Sequence, residues 1–382
     1  MKARLTLQRD KLSASFRGRE IALLPKEFAL LDYLCGREGR AFSREQLLDA
    51  VWKLETPVDR TVDDHIYRLR KKLAPWEPEL RIETVRGVGY RFVRNREEEQ
   101  PDPLLALPGF NEELRGVADT YLRYGRGDAL LALYQNKDML GFNVDPGFGL
   151  MIRAMEGDVR FVVDPAAGPL RERAFLLLYL HQYMDPQGNR RFVEAALRER
   201  LLPPVWQNEL ETMVIVHLLL DWGEHDEALR RLEALTAQAR ELNWEGLLPY
   251  CANLRVAHAL RSEGEEAQRT ALRNAEAELE RYPYKREEGQ LWLLKGLFDY
   301  RVDPAAGLAS MEHGIDVLGR SQFVLHLLHG LHTILDGAKH NGWDGVIQRF
   351  QGDWERLLKR LGLYEIQGEM NRQLRELYGG RG

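Results

Sequence analysis

DRTVDDHIYRLRKKL (residues 59–73), followed after a short spacer by IETVRGVGYR (residues 82–91), is the stretch on which the fold turns. In the first segment Val62, Ile66, Leu69 and Leu73 recur at about 3.6 residues per turn, which makes them one apolar stripe of a helix. Arg60, Tyr67, Arg68 and Lys71 are left on the opposite face. In the second segment residues 81–85 alternate like a strand, Gly87 and Gly89 permit a tight turn, and residues 90–93 return as a second strand. The spacing therefore predicts a hairpin with Arg86 at its tip. A basic helix followed by a basic hairpin is a surface suited to a polyanion.

Working outward, residues 4–7, 11–16 and 20–23 alternate as short strands. Pro25 suits the first turn of a helix that buries Phe28, Leu31 and Leu34. Ser43 stands three residues before Gln46, the pattern of a capping box, and opens a helix carrying Leu47, Leu48, Val51 and Trp52. These elements make a small α+β domain over residues 1–96. Residues 97–103, EEEQPDP, combine a charge run with two prolines and read as a solvated, stiff linker.

The charge divides along the same line. Residues 1–96 carry 21 Lys+Arg against 14 Asp+Glu, about +7, whereas the remainder carries 33 against 45, about −12, so only the first part suits a polyanion. Cys35 and Cys251 lie too far apart to imply a disulfide framework, which favours a reducing compartment. No run of 18 or more apolar residues occurs, and Lys2 and Arg4 stand where a signal peptide would need an apolar block. A soluble, cytoplasmic protein without membrane association is expected.

Residues 104–382 have helical periodicity almost throughout, an all-α pattern, and their turns recur. Trp222-Gly223-Glu224, Glu263-Gly264-Glu265, Asp303-Pro304 and Asn341-Gly342-Trp343 are spaced by 41, 40 and 38 residues. Each follows an apolar helix and precedes a more amphipathic one, as in a stack of helical hairpins. Weaker turn signals at residues 125–128 and 185–189 allow two further pairs.

With these residues in view, the first 95 or so resemble the winged-helix DNA-binding domain of the OmpR/PhoB type, the output domain of many two-component response regulators. The residues that carry the likeness are Leu24-Pro25-Lys26-Glu27-Phe28-Ala29-Leu30-Leu31, Ser43-Arg44-Glu45-Gln46-Leu47 with Val51-Trp52, Arg60-Thr61-Val62-Asp63, His65-Ile66 with Arg68-Leu69-Arg70, and Val85-Arg86-Gly87-Val88-Gly89-Tyr90. The resemblance implies that the helix from about Arg60 lies in the major groove and that Arg68 reads a base edge. It implies that Arg60, Arg70 and Thr84 face phosphate and that Arg86 enters the minor groove. The chemistry agrees: a guanidinium forks onto guanine O6 and N7, and arginine in a narrow minor groove senses its negative potential. His65, Tyr67, Lys71 and Lys72 complete the expected DNA-binding set. Arg70 also lies near enough to Asp63 or Glu83 for an ion pair, Arg91 reads as a solvated strand residue, and Asp64 on the same face either reads cytosine N4 or points away.

The chain starts at the first strand of this domain, so no receiver domain with its phosphoacceptor is expected ahead of it. The helical part resembles the tetratricopeptide-like domains that follow such winged helices in some bacterial activators. Together these likenesses imply a transcription regulator, an activator that touches RNA polymerase through the loop at residues 53–59, acts as a homodimer, and uses the repeats to sense a small molecule or peptide or to dock a protein effector. The contrasting reading is an interaction scaffold tethered to DNA by the winged helix.

Catalytic motifs are missing: there is no GxxxxGK[ST], GxSxG, HExxH or paired CxxC, so no enzyme activity and no cofactor are expected. His313, His326, His329, His332 and His340 crowd into under thirty residues, but no nearby Cys or close carboxylate completes a metal set. Aromatic residues of this region read mainly as packing between helices, with a minority lining a concave face. Tyr183, Tyr250, Arg255 and Trp292 are the candidates for a ligand or partner groove.

Overall fold

The computed structural model describes residues 5–52, 59–77, 79–94, 107, 109–142, 144 and 146–379; the side chains of residues 59, 60, 123, 138, 146 and 147 are not described. The chain separates into two compact units, Met1–Leu107 and Pro108–Gly382. The expected linker at residues 97–103 and the loop at 53–58 lie outside the described residues.

The N-terminal unit opens with an antiparallel sheet of β1 (Thr6–Gln8), β2 (Ser13–Phe16) and β3 (Arg19–Ala22), ordered β1-β2-β3. Helix α1 (Pro25–Cys35) follows, then β4 (Ala41–Phe42), α2 (Arg44–Val51), α3 (Asp59–Leu73), β5 (Leu80–Val85) and β6 (Gly89–Arg94). The last two strands pair antiparallel from Leu80↔Arg94 to Val85↔Gly89, and β4 adds to the other edge of β6 through Phe42↔Tyr90. The capping box is present: the Gln46 N–H donates to Ser43 Oγ at 3.1 Å, and the Ser43 N–H donates back to Gln46 Oε1 at 2.9 Å. The apolar stripe of α3 faces inward as its spacing requires, with Val62, Ile66, Leu69 and Leu73 buried beside Phe28, Leu31, Leu34, Phe42, Leu47 and Trp76. Removing each such leucine side chain from water is worth about 1.5–3 kcal/mol, so this stripe fixes the rotation of α3 about its own axis.

The second unit is helical: α4 (Phe110–Arg123), α5 (Gly127–Gln135), α6 (Lys137–Leu140), α7 (Pro146–Met155), α8 (Leu170–Met184), α9 (Pro186–Glu199), α10 (Pro204–Glu209) and α11 (Ile215–Asp221) come first. They are followed by α12 (His225–Glu241), α13 (Leu248–Ser262), α14 (Glu265–Arg281), α15 (Lys285–Asp299), α16 (Pro304–Arg320), α17 (Val324–Asn341), α18 (Asp344–Leu361) and α19 (Leu363–Tyr378). All four recurrent turns fall between helices, separating α11 from α12, α13 from α14, α15 from α16 and α17 from α18. The weaker signals at 125–128 and 185–189 likewise mark the breaks between α4 and α5 and between α8 and α9.

In the hairpins from α8 to α18 the first helix buries a larger share of its residues than the second. In α13 eight of 15 residues are buried, against four of 17 in α14, which matches an inner and an outer position in a stack. The tightest pairing is α15 on α16, where glycines replace side chains at the contact. A Cβ on Gly314 would meet Leu293 Cδ2 at 2.4 Å, and one on Gly307 would meet the Tyr300 backbone at 2.6 Å.

Candidate nucleic-acid interface and a cavity in the helical unit

With its apolar stripe inward, α3 presents Asp64, Tyr67, Arg68 and Lys71 to solvent. Tyr67 is 63% exposed, with the Lys71 ammonium over its ring at 5.7 Å. An outward aromatic ring flanked by two cations does nothing for the core; it is a surface for a partner. The Arg60 side chain lies outside the described residues. His65 sits at the border of this face, its Nδ1 donating to the Thr61 carbonyl at 2.8 Å and its ring edge-on to Trp52.

The hairpin stands beside this helix because two polar clasps hold it there. Arg70 Nε donates to the Ile82 carbonyl and its Nη2 to Thr84 Oγ1, both at 2.8 Å, which fastens α3 to β5. Asp63 accepts from Arg44 Nε at 2.7 Å and from the Tyr90 hydroxyl at 2.8 Å, fastening α3 to α2 and β6. Burial alone would raise the Asp63 carboxyl, but the bonds from Arg44 and Tyr90 outweigh it and hold the group below its ordinary range. At the hairpin tip Arg86 is exposed. Gly89, with φ 151°, lies so close to β4 that a Cβ there would stand 2.0 Å from the Phe42 carbonyl oxygen; this contact requires glycine.

Several sequence expectations are corrected. The partners of Arg70 are Ile82 and Thr84, because Asp63 is taken by Arg44 and Tyr90 and Glu83 by Arg81 and Arg91. Arg91 is therefore an ion-paired residue of the hairpin rather than a solvated one. Lys72 turns inward: its Nζ donates to Glu27 Oε2 at 2.7 Å and to the Ala22 carbonyl at 2.8 Å. Glu27 is buried, which would raise its carboxyl, yet the Leu24 N–H and Lys72 together hold it lowered and charged. Lys72 is thus a structural counter-ion, and the outward cations of α3 with described side chains are Arg68 and Lys71.

The groove candidates of the helical unit fare unevenly. A cavity of about 740 Å³ opens among α4, α7, α8, α10, α11, α13, α15 and α17. Its aromatic walls come from Phe175, Tyr179, Trp206, Trp244, Tyr250 and Phe323. At its inner end His217, His326 and His329 sit with Arg286 and Glu287, and a smaller pocket of about 70 Å³ continues past them to Asp221, Arg261 and His332. Of the four candidates only Tyr250 lines this space, its hydroxyl donating to the Met213 carbonyl at 3.3 Å. Tyr183 lies one layer behind, 3.3 Å from His329 Nδ1. Arg255 is drawn away by Glu263 at 2.9 Å, and Trp292 packs edge-on to His313.

The histidine cluster of the sequence also divides. His313 lies against Trp292 and His340 borders a separate small pocket, whereas His217, more than 100 residues away in the chain, joins His326, His329 and His332. Burial pushes His217 down to about 4 and His326 down to about 3, so both are neutral near pH 7. His332 is also buried, but its hydrogen bond and charge contact with Asp221 win and raise it. Among the described residues no group of three or more His, Cys, Asp or Glu is arranged to hold a metal ion.

A feature the sequence did not signal shapes the cavity wall. Between α10 and α11 the chain makes a π-helical turn, Leu210–Val214, and Glu209 before it, Met213 within it and His217 after it line the same space. Glu209 is raised by burial, with Arg286 acting on it only through space.

Residues 18–92 match the family described as "Transcriptional regulatory protein, C terminal". Over 89 residues the chain is 45% identical to the transcriptional regulatory protein VxrB of Vibrio cholerae, covering 23% of this chain and 35% of that protein. Over 87 residues it is 48% identical to the phosphate regulon transcriptional regulatory protein PhoB of Rhizobium meliloti, covering 22% and 38%. The chain thus spans little more than a third of the length of the curated relatives it matches. Among solved structures it is similar to the DNA-binding domain of Bacillus subtilis CssR, at 37% identity over 23% of this chain and 99% of that one, with a TM-score of 0.21. The N-terminal unit is an OmpR/PhoB-type winged-helix DNA-binding domain, and the relatives that share it are transcriptional regulators. No helix among the described residues is long and apolar enough to cross a membrane.

Proposed function

We propose that this protein is a sequence-specific transcription regulator that binds promoter DNA through its winged helix and answers to a ligand through its helical unit. The observation that carries the proposal is the outward face of α3, where Tyr67, Arg68 and Lys71 stand exposed over a fully buried stripe, beside a hairpin that holds Arg86 at its tip. In this reading α3 enters the major groove with Arg68 on a base edge, Lys71 and Arg60 neutralise phosphate, and Arg86 lies in the adjacent minor groove. Arg70 and Thr84 set the angle between helix and hairpin. His65 positions the start of α3.

The helical unit is read as a tetratricopeptide-like stack. Its inner helices α8, α13, α15 and α17 line the large cavity, while the outer helices α9, α12, α14 and α18 contribute nothing to it. A stack can shift between packings that differ by a few kcal/mol, so an occupant of the cavity is the natural input. Activation, with residues 53–59 meeting RNA polymerase, and action as a cytoplasmic homodimer follow from the family likeness. Two winged helices bury enough DNA surface for tight specific binding where one does not.

A mobility-shift titration of the full chain on duplex DNA tests the interface. Arg68→Ala should lower discrimination between sites by about 1–3 kcal/mol, and Arg86→Ala should weaken binding mainly where A/T-rich flanks narrow the minor groove. Wild-type behaviour from both variants would remove the assigned interface.

A further inference from the structure

We propose that the cavity of the helical unit is a binding site for a lipophilic organic cation, with the Glu209 carboxylate as its counter-charge beside an aromatic wall. This rests on the reading of the helical unit as the sensing part of the protein and adds the chemical class of what it senses.

Size and lining come first. About 740 Å³ is the volume of a drug-sized site, and the wall is built mainly of aromatic and aliphatic side chains. Phe175 stacks on Trp206 with centroids 4.7 Å apart at 16°, and Tyr179 continues the row at 6.5 Å and 22°. Phe175 and Trp206 turn faces on each other, so a guest meets this row only at its outer surfaces, where an aromatic face favours a cation over an anion. Trp244 stands at the mouth, 39% exposed.

Charge decides between an acid and a base as the occupant. Arg286 is the one cationic side chain lining the large cavity among the described residues; its Nη2 is paired with Glu287 at 3.3 Å and its guanidinium lies over the Phe323 ring at 5.3 Å, while its Nε is buried without a hydrogen-bond partner. In the inner pocket Asp221 is matched by Arg261 and His332. His217, His326 and His329 add no positive charge near pH 7, because burial holds all three neutral. Glu209 is the remainder. Among the described residues it has no hydrogen bond or ion pair, and Asp119 and Glu245 add two more carboxylates to the cavity's exposed rim. An anionic guest would meet one arginine, itself paired with Glu287, against four lining carboxylates, Asp119, Glu209, Glu245 and Glu287; a cationic guest would supply the partner that Glu209 lacks. Glu209 stands beside Trp206 because the two are three residues apart on α10, so that charge and aromatic wall face the same space.

The test uses two ions of the same shape and opposite charge, tetraphenylphosphonium and tetraphenylborate, titrated into the full chain and followed by tryptophan fluorescence and calorimetry. The phosphonium should bind at least about tenfold more tightly than the borate, and Glu209→Gln should weaken it by about tenfold with little effect on the borate. Trp244→Ala, at the exposed mouth, should weaken the phosphonium as well and provides a second reading if Glu209→Gln perturbs folding. Equal or tighter binding of the borate, no binding of the phosphonium, or wild-type affinity in both variants overturns the site. A parallel mobility shift with and without the phosphonium separates the two layers. Tight phosphonium binding that leaves DNA retention unchanged keeps the cation site and overturns sensing, whereas preferential borate binding that alters DNA retention keeps sensing and overturns the cation.

Discussion

Lys72 and Arg70 show how a residue's role is decided by what it touches. Both are basic residues on α3, yet Lys72 neutralises a buried carboxylate 45 positions away and Arg70 fastens the hairpin. Replacing Lys72 by Met should cost about 1–3 kcal/mol, less than the roughly 3–5 kcal/mol of stranding a fully buried charge, because the lysine is itself one-third exposed. Chemical denaturation measures that loss, and the salt dependence of DNA binding by the folded variant should keep its wild-type slope; a reduced slope would return Lys72 to the phosphate contacts. His326 offers a second residue-level check. Its folded value is depressed by burial to about 3 from an ordinary 6.5, so its contribution to stability is complete above about pH 6.5 and is lost as pH falls toward 3. Relative to wild type, His326→Gln should therefore be better tolerated at pH 5 than at pH 7, by about 2 kcal/mol. Equal penalties at the two pH values would show that the ring is not held neutral. The outward set on α3 was legible because periodicity alone assigns it; the Glu27, Arg44 and Asp63 partnerships were not, because they join residues 19 to 46 positions apart that only the fold brings together.

Among the elements, the helices and their punctuation were the readable part. The capping box at Ser43, the stripe of α3 and the recurrent turns of the helical unit each follow from local chemistry that the chain carries with it. The π-helical turn at Leu210–Val214 was not readable, since nothing in LETMV distinguishes it from ordinary α-helix; its geometry comes from packing. The hairpin combines both kinds of information. Gly87 and Gly89 mark a turn in the sequence, but their demands differ: Gly87 has φ 74° with nothing within 4 Å, whereas a Cβ on Gly89 would strike the Phe42 carbonyl. Gly87→Ala should cost about 1–2 kcal/mol from its left-handed backbone. Gly89→Ala should cost about 3 kcal/mol or more, because the β4–β6 contact must open. Thermal melts of the two variants compare these directly, and equal losses would contradict the close approach at Gly89.

For the whole molecule, the division of charge and the division of structure tell the same story. The basic part of the chain holds its own core around α3, and the acidic part holds separate cores and a cavity assembled from helices spread over some 200 residues. That dispersion is why the cavity was hidden in the sequence: Tyr250 was singled out, but His217, Glu209, Trp206 and Arg286 become neighbours only after the hairpins stack. The account's central claim is narrower and concerns the winged helix. Selection of bound duplexes from random DNA by the full chain, repeated with Arg68→Ala, tests it most directly. The wild type should enrich a defined motif, and the variant should lose preference at one or two adjacent base pairs of that motif while still retaining DNA. Failure of the wild type to enrich any motif, or an unchanged motif with the variant, would contradict it.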